Sequence, residues 1–292
     1  MCSADRYIDA RGAATIGVVV RIRLDQLLTD RGLARSRAEA QALIHAGSVE
    51  LDGTRRLKPG QLVEADASVS LLERPKWASR AGAKLEHALD EFGIDPIGMA
   101  VLDAGASTGG FTDVLLARGA RVVYAVDVGR AQLIQRLLDD PRVVSMERTN
   151  LRDLRELPER IDLATLDLSF ISLRLVLPAV RNLLTDAGRV VALVKPQFEA
   201  GKELVPRGGV VTDPAVWERV LAKMAPAAAD AGLRAARAIR SPLTGTDGNV
   251  EFLVDLRGKE RDEVEMAAYE ESVSTAVWDL AGDDAQPAPD RA

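Results

Sequence analysis

The stretch VLDAGASTGGFTDVL, Val101 to Leu115, constrains this chain more than any other. Apolar residues that read as a buried strand run into a turn of Gly, Ala, Ser and Thr. Phe111, Val114, Leu115 and Leu116 then recur at helical spacing. Strand, glycine-rich turn and helix form the opening unit of a nucleotide-binding α/β domain. Gly105, Gly109 and Gly110 permit a sharp turn and a close approach of backbone to ligand, because no Cβ intervenes. A dinucleotide site asks for G-x-G-x-x-G; here the spacing is D-x-G-x-x-x-G-G, with Asp103 at the strand end. A carboxylate at that point suits a ligand carrying an amine or a sulfonium better than a pyrophosphate.

The remainder of 99–257 alternates between the two periods. Strands are expected at 99–104, 121–126, 143–147, 162–168, 189–195, 233–240 and 250–257, and helices near 109–118, 130–138, 172–184 and 214–231. That alternation implies an α/β fold, a mainly parallel sheet with helices on both faces. The last connection, Ser241 to Asn249, is too short for a crossover helix, so the seventh strand should run antiparallel to the sixth. Ligands bind such sheets at the carboxyl ends of the strands. Asp103, Asp127, Asp167 and Lys195 all fall there, and Glu251, at the start of the antiparallel strand, reaches the same edge. Asp127, about twenty residues after the glycine turn, is placed to accept the two hydroxyls of a ribose. Asn150 and Asp153 follow as adenine contacts.

A smaller α+β unit is expected over 21–73. Leu24, Leu27 and Leu28 mark one amphipathic helix ended by Gly32. Ser36 caps a second, with Glu39 completing a capping box. Ala42, Leu43 and Ile44 line its buried side, and Gly47 stops it. SVELDG, a turn at Asp52-Gly53 and further short strands complete the unit. Within 21–58, eight Lys/Arg face five Asp/Glu. Arg21, Arg23, Arg35, Arg37, Arg55 and Arg56, with Arg31 and Lys58, form a basic surface suited to RNA. The net charge of −6 conceals this, because 258–292 holds ten acidic and three basic residues.

Residues 1–20 read as a disordered extension. The apolar patch Gly12 to Val20 lacks a basic flank and a clear cleavage site, so it is not read as a signal peptide. Residues 74–98 read as an extended linker, Arg74-Pro75-Lys76-Trp77, then a helix capped by Ser79 with Lys84 near its start. Residues 258–292 read as an acidic tail, with a helix expected around 263–281 and disorder in the final ten positions. Cys2 is the only cysteine, which excludes an internal disulfide and a cysteine metal site. His45 and His87 are the only histidines, which argues against a histidine-ligated metal and most Ser-His or Cys-His nucleophiles. No apolar run is long enough to span a bilayer. A cytoplasmic monomer without a membrane partner is expected.

Four resemblances sharpen this reading. The glycine turn resembles motif I of Rossmann-type methyltransferases that use S-adenosylmethionine. RLDQLL, LARSRAEAQALI and GSVELDG resemble the small RNA-binding domain named after ribosomal protein S-four. Lys84, Asp167, Lys195 and Glu251 resemble the Lys-Asp-Lys-Glu set of FtsJ-type RNA ribose 2′-O-methyltransferases. Taken in order, SRAGAKLEHAL, LDAGASTGGFTDVLL, VYAVDVG, MERTNLRDL, LDLSFISL, ALVKPQFEAG and GNVEFLV resemble the TlyA family over about residues 21–257. Ala81 departs from it, standing where glycine is common.

The resemblance implies methyl transfer from S-adenosylmethionine to a cytidine 2′-hydroxyl of ribosomal RNA, with the ribosomal subunits as partners. It implies Lys84, Asp167, Lys195 and Glu251 as the catalytic residues. The cofactor crevice would comprise Asp103, Gly105, Ala106, Ser107, Thr108, Gly109, Gly110, Asp127, Asn150 and Phe170. A ribose hydroxyl is a poor nucleophile and must lose its proton as the methyl arrives. Lys195 would act as base or orient the hydroxyl, with Asp167 and Glu251 holding the two lysines. Two other readings stay open: an RNA-binding assembly factor with an inactive methyltransferase fold, and a membrane-active haemolysin. The complete tetrad argues against the first. The lack of a spanning segment or a strongly amphipathic basic helix argues against the second.

Overall fold

The computed structural model describes residues 3–8, 14–19, 21–45, 48–54, 57–71, 76–130, 132–245, 247–258 and 266–278. The chain divides into two units, Met1–Pro75 and Lys76–Ala292.

In the first unit, β1 (Ser3–Ile8) pairs antiparallel with β2 (Ala14–Val19). These strands stand within the stretch 1–20 where disorder was expected, the rest of which lies outside the described residues; Thr15, Ile16, Val18 and Val19 are β-branched and favour a strand. Then follow β3 (Arg21–Arg23), α1 (Leu24–Asp30), α2 (Arg37–His45), β4 (Val49–Leu51), β5 (Leu62–Glu64) and β6 (Val69–Leu71). β3 pairs with β5 and β4 with β6, both antiparallel. Leu24, Leu27, Leu28 and Ile44 are in the core as the apolar spacing predicts; Ala40 and Val63 join them, and Leu43 packs against them partly buried. The expected capping box is shifted by one residue on its return bond, which reaches Arg35 and not Ser36. The Glu39 N–H donates to Ser36 Oγ at 3.2 Å, and the Glu39 carboxylate accepts from the Arg35 N–H at 2.7 Å. The stop at Gly47 lies outside the described residues.

The second unit runs α3 (Ala81–Glu91), β7 (Ala100–Ala104), α4 (Gly110–Ala117), β8 (Val122–Val126), α5 (Gln135–Leu138), β9 (Val143–Met146) and β10 (Ile161–Leu166). It continues α6 (Leu177–Leu183), β11 (Leu184–Val194), α7 (Pro196–Glu199), α8 (Pro214–Ala222), α9 (Met224–Asp230), β12 (Arg234–Arg240), β13 (Phe252–Arg257) and α10 (Met266–Trp278). The seven strands lie in the order β12-β13-β11-β10-β7-β8-β9. β13 is antiparallel to β11 and β12; every other pairing is parallel.

Burial on both faces explains the nearly unbroken apolar runs of the central strands, while the edge strands β9 and β12 are partly exposed. Alternate residues feed two cores. Leu102 and Ala104 join Leu177, Val180, Leu221, Met224 and Tyr269 on one face. Val101, Leu163 and Val191 join Leu85, Leu89, Val114 and Leu115 on the other. The helical expectations are trimmed rather than displaced. The span 214–231 breaks into α8 and α9 at Lys223, and 130–138 shrinks to α5. Ser79 does not cap α3: Arg80 takes the N-cap position with no side-chain cap bond. β7 and β10 are neighbours from which the chain winds in opposite directions, so the crevice expected of a doubly wound sheet opens between them.

Candidate active site

Gly105 ends β7 at φ +82°, and a Cβ there would stand 2.2 Å from the Asp167 carbonyl oxygen at the end of β10. Only glycine meets both conditions, so the crevice floor is set by this residue. Gly110 opens α4, and a Cβ on it would meet Ser79 Oγ at 2.2 Å.

Two cavities open from this floor. One, of about 390 Å³, is lined by Asp127, Val128, Gln132, Asn150, Phe170 and Ile171 among others. The second, of about 230 Å³, is lined by Lys84, Asp167, Lys195 and Glu251, with Ala106, Thr108 and Gly110 on the glycine-turn side. They share Gly105, Ser107 and Asp167, and therefore form one crevice.

In the first cavity, Asp127 Oδ2 accepts from the Ser107 N–H at 2.9 Å and Oδ1 from the Gly129 N–H at 2.7 Å. Each oxygen keeps a second lone pair for a diol. Asn150 Oδ1 accepts from the Arg152 N–H at 3.1 Å, which fixes the side chain against the cavity wall. Phe170 has φ +63°, is 90 % exposed and lies tilted against Phe198 at 5.0 Å between ring centroids. A bulky side chain held left-handed and left in water marks a functional constraint.

In the second cavity, Lys84 comes from the first turns of α3 and Glu251 from the residue before β13. They form an ion pair that is 5 % and 3 % exposed. Lys195 directly follows β11. Its ammonium lies 2.6 Å from Asp167 Oδ1 and donates to Ser169 Oγ at 3.2 Å. Sequence reading did not single out Ser169, although it sits inside the LDLSFISL segment.

Two cofactor expectations are not met. Asp103 lies outside both cavities with no exposed surface, and accepts from Thr112 Oγ1 at 2.6 Å and Thr165 Oγ1 at 3.2 Å. Burial pushes its carboxyl up to about 7. It ties β7, α4 and β10 together beneath the floor instead of facing a ligand. Gly109, at φ +99°, lines neither cavity; it shapes the entry to α4.

The front arginines divide. Arg23 and Arg37 both reach Asp25, at 2.7 Å and 3.3 Å, and that carboxylate is wholly buried. The Arg23 guanidinium, with Gln41 and Arg37, holds its carboxyl well below the usual range. Arg31 donates to the carbonyls of Ala67 at 2.7 Å and Ala65 at 2.8 Å, so it braces the unit. Arg21 and Arg35 are exposed. Arg55, Arg56, Arg74 and Pro75 lie outside the described residues. Among the described residues, no helix is long and apolar enough to cross a membrane.

A doubly wound seven-stranded sheet with one late antiparallel strand and a glycine-floored crevice at its switch point is the architecture of an S-adenosylmethionine-dependent methyltransferase domain. Comparison with known proteins agrees. The pattern of the FtsJ-like methyltransferases matches residues 77–258 and that of the S4 domain residues 22–69. The 16S/23S rRNA (cytidine-2′-O)-methyltransferase TlyA of Mycobacterium tuberculosis is 45 % identical over 263 residues, covering 88 % of this chain and 97 % of that protein. Hemolysin A of Brachyspira hyodysenteriae is 38 % identical, covering 80 % and 98 %. A solved Streptococcus thermophilus structure carrying a hemolysin label superposes with a TM-score of 0.69 at 39 % identity, covering 92 % and 100 %. The chain belongs to the FtsJ-like methyltransferase family and carries an S4 domain ahead of the catalytic unit.

Proposed function

We propose that the protein methylates the 2′-hydroxyl of cytidine in ribosomal RNA, with the S4 domain docking the RNA. One observation carries the reading: Lys84, Asp167, Lys195 and Glu251 converge on a cavity continuous with the nucleoside-binding crevice. The crevice fits S-adenosylmethionine in three respects. Its glycine floor leaves a cradle that a Cβ would fill, Asp127 presents acceptors for a ribose diol, and Phe170 offers an exposed ring. Ser107, Thr108, Asp127, Asn150 and Phe170 would hold the cofactor, which supplies an electrophilic methyl group when bound.

The chain's own residues supply the rest. As the neutral amine, after its own extra proton has passed to solvent, Lys195 Nζ takes the proton that the ribose hydroxyl must lose. Asp167 and Ser169 fix that nitrogen from two directions, so the lysine meets the substrate in one orientation. The Lys84–Glu251 pair lines the same cavity, each charge compensated by the other because both are withdrawn from water. All four residues come from one chain, so a monomer suffices. A ribosomal substrate places the protein in the cytoplasm. The test is methyl transfer to unmodified rRNA by the full-length chain and by Lys195→Ala. Transfer by the first alone, with RNA binding equal in both, supports the reading. RNA binding without transfer by the first leaves an assembly factor.

A further inference from the structure

The loop after β10 and the segment after β11 are joined at three points. At one end Lys195 holds Asp167 and Ser169. In the middle Phe170 leans on Phe198. At the far end the Glu199 carboxylate accepts from Ser172 Oγ and from the Leu173 N–H, both at 2.7 Å. This carboxylate is half-buried and touches neither cavity. Removing a carboxylate from water is costly unless its acceptors are used, and here both oxygens are. The loop between the clamps contains Phe170 in a left-handed conformation that a phenylalanine adopts only when its surroundings enforce it.

We propose that Glu199 is a positioning residue: it clamps the far end of the 167–173 loop so that Asp167 and Ser169 hold the Lys195 ammonium in place. The proposal rests on the role given to Lys195 above. Without the clamp, the strained loop relaxes at Phe170 and the two oxygens that orient Lys195 move with it. The Lys84–Glu251 pair, carried by α3 and the entry to β13, is not attached to this loop and stays as it is.

Glu199→Gln in the full-length chain tests this, because it keeps the size but turns one acceptor into a donor facing donors. The expected result is a kcat about tenfold lower and a weaker affinity for S-adenosylmethionine, because Phe170 and Ile171 of the same loop line the cofactor cavity, with KM for RNA little changed. Labelling of Lys195 by an amine-acylating reagent, read by peptide mass spectrometry, should be severalfold faster, with Lys84 labelling unaltered. Ser172→Ala removes one of the two bonds, should give a smaller change in the same direction, and serves if the glutamine variant does not fold. Unchanged Lys195 labelling, or an equal rise at every lysine, overturns the proposal. If the wild-type chain transfers no methyl group, the methylation reading fails, while the labelling still decides the clamp.

Discussion

In the front unit, Asp25 gathers Arg23 and Arg37 from the same short stretch of chain, and the guanidiniums remain about half exposed at 44 % and 51 %. At the sheet rim, Lys84 meets Glu251 from across the catalytic unit, and both are withdrawn from water. The first arrangement suits recognition of a polyanion, which depends on how many cations face the phosphates and declines gradually as they are removed. The second walls a cavity for proton transfer at Lys195, which depends on the placement of single atoms and fails when one is lost. Substitutions should therefore act in small increments in one region and all at once in the other.

The largest effect is expected at Lys195. Lys195→Ala should lower kcat by about a thousandfold, within the range lost with a general base, while S-adenosylmethionine binding measured by calorimetry persists. A fall in kcat and cofactor affinity together would mean that Lys195 builds the crevice and does not act on the proton. Next comes the buried pair. Glu251→Ala strands the Lys84 ammonium in the interior and should cost about 3–5 kcal/mol in denaturant unfolding. Asp25→Ala, whose arginines can turn to water, should cost less. Equal losses would erase the contrast.

A smaller, pH-dependent effect is expected at Asp103. Its folded carboxyl titrates at about 7, above the ordinary value near 4, so between those values the folded chain holds a proton that the unfolded chain has released. Stability relative to Asp103→Asn should therefore decline as pH rises through that window and level off above it. A difference that stays flat would refute the raised value. The smallest effect is at the front arginines. Arg35→Ala should reduce the slope of log affinity against log salt by less than about 1, the share of a single phosphate contact. Arg37→Ala should do the same and also lower stability, because Asp25 loses a partner.

These contrasts follow what was legible in the chain. All seven strands of the catalytic sheet were readable: most are apolar runs closed by a turn or a polar residue, and β12 interleaves alanine and isoleucine with arginine. The antiparallel last strand followed from a short connection alone. The direction of Asp103 was not readable. β7 is buried on both faces, so no polar alternation says which way a carboxylate points, and its hydroxyl donors come from α4 and β10. The Arg23–Asp25–Arg37 cluster was hidden for a related reason. A buried aspartate and an exposed one look alike in a helix whose other face is polar. Glu199 and Ser169 were hidden because they act through partners supplied by the other segment. The rim positions of Asp167, Lys195 and Glu251 were legible from strand ends, and Lys84 was added only through the FtsJ resemblance; the pairing of Lys84 with Glu251 is a tertiary fact.

The central claim is that the charges on this rim serve a ribose hydroxyl. Unmodified ribosomal RNA incubated with the full-length protein and methyl-labelled S-adenosylmethionine, then digested to nucleosides for mass spectrometry, tests it most directly. The account predicts label in 2′-O-methylcytidine. Label on a base, on another nucleoside, or in none of them would contradict it.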